Sequence, residues 1–77
     1  MSFTKEQILN EHLLRNFYPP YPGKLREAIK TAFQEMWDGK IESENVFNRV
    51  NELAKPHRLV LRDEADFTHH FEFFLEE

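Results

Sequence analysis

The sequence predicts an α+β domain, three helices followed by a C-terminal β-hairpin, with an all-α domain of four short helices as the alternative. Three observations support this reading. Apolar residues recur at helical spacing in three successive stretches, each bounded by capping residues, proline or glycine. Arg58-Leu59-Val60-Leu61-Arg62 reads as a short strand. Phe67, His69, Phe71, Phe73 and Leu75 alternate as a second strand would, and a lone strand at Leu59 to Leu61 needs a partner for its backbone groups.

The first helix starts at about Lys5. Thr4 stands three residues before Gln7, and Phe3 and Ile8 flank them, the pattern of a capping box with a hydrophobic staple. Leu9, Leu13 and Phe17 recur at i, i+4 and i+8 with Ile8 beside them, whereas Leu14 points to the other side. The helix stops by Tyr18, because Pro19, Pro20, Pro22 and Gly23 break the chain into a turn or short extended linker.

From Lys24 to Asp38 a broad apolar face carries Leu25, Ala28, Ile29, Ala32, Phe33, Met36 and Trp37, and Gly39 stands where a helix ends in the left-handed conformation. Ser43 can cap a third helix whose stripe is Val46, Phe47, Val50, Leu53 and Ala54, ended by Pro56. Asp63 to Asp66 reads as a turn. The final stretch also fits a helix, capped by Asp63 or Asp66 and burying Phe67, Phe71, Phe74 and Leu75. Two acids at its end oppose a helix dipole, and the hairpin is therefore preferred.

Seventy-seven residues hold one domain. A chain this short buries only about 60% of its unfolded surface, and domains of this size often add disulfides, a metal or a partner chain. Here there is no cysteine. Dense aromatic packing from eight Phe, Trp37, Tyr18 and Tyr21 remains, together with self-association, so a homodimer or other small homo-oligomer is expected. The chain shows neither a signal-peptide pattern nor an apolar run of the length a membrane span needs, which points to a cytoplasmic protein with no membrane partner.

Net charge is −4, and its distribution is uneven. Residues 1–62 hold all ten Lys and Arg against eight acids, whereas residues 63–77 hold six acids and no base. Without a basic stripe to neutralise phosphates, direct nucleic-acid binding is not expected.

Four histidines, His12, His57, His69 and His70, are the only nitrogen ligands for a metal. The adjacent pair points to opposite faces of a strand, so neither a metal nor any other cofactor is predicted. Ser2 and Ser43 read as tail and cap, and Gly23 and Gly39 form no phosphate loop, so the chain is read as non-catalytic. Asn45, Asn48 and Asn51 recur at i, i+3 and i+6, either as a polar recognition surface or as a solvated face.

Phe17-Tyr18-Pro19-Pro20-Tyr21-Pro22 interleaves rings with prolines. It either offers a stiff segment to a partner's groove or folds its rings back to close the core. The wider segment Glu11-His12-Leu13-Leu14-Arg15-Asn16-Phe17-Tyr18-Pro19-Pro20-Tyr21-Pro22 resembles the start of small uncharacterised bacteriophage-encoded proteins. Those carry a histidine, two apolar residues, an asparagine and an aromatic-proline-proline turn leading into a helix. The resemblance covers the first half of the chain, with Phe17 where that family has histidine. It implies a context only, a phage or prophage accessory protein acting inside a bacterium.

The function expected is a small non-catalytic protein-binding module, a modulator or inhibitor of a host protein. Its partner site is placed on Tyr18 and Tyr21 of the turn with the acidic Glu72, Glu76 and Glu77. The alternatives are an acidic nucleic-acid mimic that blocks a DNA- or RNA-binding protein, and a structural oligomer-forming subunit.

Overall fold

A computed structural model describes residues 2–17 and 20–76. Among them the regular structure is entirely helical: α1 (Lys5–Arg15), α2 (Gly23–Trp37), α3 (Val46–Ala54), α4 (Glu64–His70) and α5 (Glu72–Leu75), with 3-10 turns at Ser43–Asn45 and Lys55–His57. No described helix is long and apolar enough to cross a membrane.

The expected capping box opens α1. Thr4 Oγ1 accepts from the Gln7 N–H at 3.1 Å, and Gln7 Oε1 accepts from the Thr4 N–H at 2.9 Å. Leu9 and Leu13 are fully buried. Helix α2 buries the anticipated stripe from Leu25 to Met36, while Trp37 at its end is only partly covered. Gly39 follows at φ 79°, a conformation its missing side chain makes accessible, and the Lys40 N–H closes the helix end on the Glu35 carbonyl at 2.9 Å. α3 buries Val46, Val50 and Ala54 and packs chiefly on α2. It begins three residues later than Ser43, whose side chain caps nothing here, since a 3-10 turn occupies Ser43–Asn45. Between α2 and α3, Arg49 forks onto Glu35, with Nε to Oε1 at 2.8 Å and Nη2 to Oε2 at 3.1 Å. That pair holds the Glu35 carboxyl below its ordinary value.

The C-terminal hairpin is not formed, and the fold is all-α rather than α+β. Two local facts explain the difference. First, the polar groups of Leu61 find a partner without a second strand: Asn51 Oδ1 accepts from the Leu61 N–H at 2.7 Å, and Asn51 Nδ2 donates to the Leu61 carbonyl at 3.1 Å. A side-chain amide carries the same donor and acceptor as a peptide group, so one residue of α3 does what a strand edge would. Second, Asp63 caps α4 by accepting from the Asp66 N–H at 3.1 Å, which starts the helix that alternation had obscured.

The final phenylalanines then divide by helical spacing. Phe67, Phe71 and Phe74 are buried, whereas Phe73 is 72% exposed. A strand would have put Phe71 and Phe73 on one face. The dipole cost is only part of the balance: Glu72 opens α5, where an acid is favourable, while Glu76 at its C-cap is not, and burial of Phe67, Phe71 and Phe74 outweighs that cost. Phe33 of α2 stands at the centre of the core, with the rings of Phe67, Phe71 and Phe74 at 6.2, 5.7 and 6.0 Å.

Candidate functional site: an apolar groove between α1 and α5

His12 ties α1 to the C-terminal helices. Its ring lies among Phe17, Phe71 and Phe74, with centroids at 5.4, 5.3 and 5.3 Å. Nε2 is 2.9 Å from the His70 carbonyl oxygen, which can only accept, so Nε2 carries the proton and donates. Nδ1 accepts from Asn16 Nδ2 at 2.9 Å. The imidazole is thus neutral with both nitrogens engaged, and burial pushes its pKa below the ordinary 6.5, against the opposing pull of the His70 carbonyl. The His12 and Asn16 spacing of the N-terminal motif therefore has a concrete use: an i, i+4 pair fixes the ring that α4 caps.

Beside this pair the surface opens into a groove. Two adjoining clefts of about 530 and 310 Å³ share Ile8, Phe73 and Phe74 as their walls. The first runs towards Phe3, His12 and Asn16, with Glu11 and Arg15 joined at 2.7 Å on its rim. The second runs towards Trp37, Lys5 and Glu76. Phe3 is 73% exposed, so the predicted staple leaves its ring on the groove's edge rather than covered. Of the five large apolar side chains exposed among the described residues, Phe3, Ile8 and Phe73 border this groove, while Leu14 and Val60 do not.

The residues expected to bind a partner are divided differently. Tyr21 is half-buried against Phe17, centroids 4.6 Å apart, and burial, with the nearby Asp66 charge second, pushes its phenol pKa up. Its ring helps close the core, the second of the two readings of that turn. Tyr18 and Glu77 lie outside the described residues. Glu72 and Glu76 are exposed on and just after α5, and Glu76 reaches the groove. Of the asparagine series, Asn51 is spent on Leu61, and only Asn45 and Asn48 stay exposed.

The groove was missed in the sequence because its apolar residues come from opposite ends of the chain, each looking like part of a core stripe. The exception was legible: Phe73 falls off the Phe67, Phe71, Phe74 helical face once that face is recognised. Chemically the site offers aromatic and aliphatic contact inside a rim that carries charges of both signs, of which Glu11 and Arg15 are paired. No group of three His, Asp or Glu converges on a metal-binding point among the described residues. No protein-family model matches the chain, and no curated protein or solved structure is significantly similar to it.

Proposed function

We propose that the chain is a small, non-catalytic protein-binding module whose contact surface is the groove between α1 and α5. The observation that carries this reading is the joint exposure of Phe3, Ile8 and Phe73 around clefts that none of the described residues fills. Contiguous exposed apolar surface with a polar rim is what a soluble domain keeps for a contact. Glu76 and Lys5 on the rim add orientation to that contact rather than most of its strength. In the phage context that the N-terminal motif implies, a bacterial host protein is the partner to seek.

The test is affinity capture from bacterial lysate with three forms of the protein. The unaltered chain and Val60→Ser, whose site lies away from the groove, are expected to retain the same bound protein, and Phe73→Ser to lose it. Equal capture by all three would show that the groove is not the contact surface.

A further inference from the structure

We infer that the extended segment from Leu59 to Arg62 is an open strand edge, built to pair with an extended acidic peptide of another protein. The inference is independent of the groove, since Val60 and Arg62 border neither of its clefts. The segment is held in one conformation from within the chain. Arg58 turns the backbone at φ 60° after the 3-10 turn, and the Leu59 N–H bonds back to the Ala54 carbonyl at 3.3 Å. Leu59 and Leu61 pack against the core, while Val60 is 54% exposed and Arg62 is exposed beyond it. Inward and outward side chains thus alternate as in a strand. Asn51 takes both backbone groups of Leu61, at 2.7 and 3.1 Å, so these face α3. In an extended chain the neighbouring residues present their N–H and C=O to the opposite edge. Those groups of Val60 and Arg62 have no hydrogen-bond partner among the described residues.

Two properties name the occupant. The open edge offers donors and acceptors together, which another peptide backbone matches and a phosphodiester backbone, supplying acceptors alone, does not. Charge is the second property. From Leu53 to Arg62 the chain carries Lys55, His57, Arg58 and Arg62 and no acid, in a protein whose net charge is −4. All four are exposed, and none is in an ion pair among the described residues. The acids on either side are partly engaged: Glu52 lies 3.5 Å from Arg49, and Asp63 accepts from the Asp66 N–H to cap α4. Asp63 and Glu64 follow Arg62 directly, so the occupant's carboxylates belong nearer Lys55 and Arg58. Because the edge is already ordered, this chain loses little conformational freedom on pairing.

The probe is a blocked heptapeptide that alternates threonine with glutamate, valine and glutamate, titrated into isotope-labelled protein and followed by NMR. A Kd of about 0.1–1 mM is expected for so short a strand. The amide protons of Val60 and Arg62 should move downfield and exchange more slowly, while that of Leu61, already bonded to Asn51, holds its shift. Methylating alternate backbone nitrogens of the peptide tests the pairing itself: one of the two sets should abolish binding and the other leave it unchanged. Lys55→Gln combined with Arg58→Gln should weaken binding about fivefold, whereas Phe73→Ser, on the groove, should bind as the parent does. Unmoved Val60 and Arg62 amides at the highest peptide concentration overturn the inference, as does an equal effect of the two methylations. Oligothymidylate binding as tightly as the heptapeptide also overturns it, leaving a surface that attracts any anion. Binding lost in Phe73→Ser but kept in the Lys55 and Arg58 variant excludes the strand edge and leaves the groove as the contact surface.

Discussion

Single polar residues do much of the joining in this molecule. Asn51 supplies both hydrogen bonds that the backbone of Leu61 would otherwise take from a strand, so Asn51→Ala strands a partly buried N–H and C=O together. The expected loss is about 1–3 kcal/mol, read as a lower urea midpoint with unchanged slope. His12 gives a second prediction at this scale. Its folded pKa lies below the ordinary 6.5, so the unfolded chain takes up the proton first as pH falls. Stability is therefore full above about 6.5 and declines as pH drops through the lowered folded value. Urea midpoints measured from about pH 7 to about pH 5 should fall, and the fall should be shallower in His12→Gln. The Glu35 carboxyl, held low by Arg49, acts in a separate window below its ordinary 4.5, and its contribution is likewise lost on acidification. Neither the Asn51 bonds to Leu61 nor the His12 bond to His70 could be assigned from spacing. Their partners lie ten and fifty-eight positions away, and local patterns carry no information about such distant bonds.

At the scale of elements, the legible parts were those whose signals are local. The Thr4 capping box, the stripe of α2 and the glycine after it all stand where spacing placed them. The C-terminal stretch failed because five alternating positions and four helical positions overlap in one run of nine residues, and backbone pairing was assumed to need a strand. The two readings separate experimentally. Phe71→Ala empties a fully buried site and should cost about 3–5 kcal/mol, whereas Phe73→Ala in dilute solution should change stability by less than about 0.5 kcal/mol. A strand would make the two costs alike. Phe33→Ala should be at least as damaging as Phe71→Ala because its ring meets Phe67, Phe71 and Phe74 at once, and the partly covered Trp37 should be less so.

Taken whole, the chain meets the difficulty of small size by aromatic packing: the rings of α2, α4 and α5 form a continuous cluster that His12 and Phe17 extend to α1. The need for compensation was readable from length and the absence of cysteine. The place where apolar surface remains uncovered was not, because it depends on how the two ends of the chain meet.

Trp37 is the only tryptophan in the sequence, and it stands on the wall of the groove with its ring 5.8 Å from Phe33. The molecule thus contains an intrinsic fluorophore at the boundary between core and contact surface. Filling the cleft would dry the indole's remaining wet edge and move its emission to the blue, whereas unfolding would move it to the red. The two events leave opposite spectral signatures in one unlabelled cuvette, so binding can be followed optically without being mistaken for loss of structure.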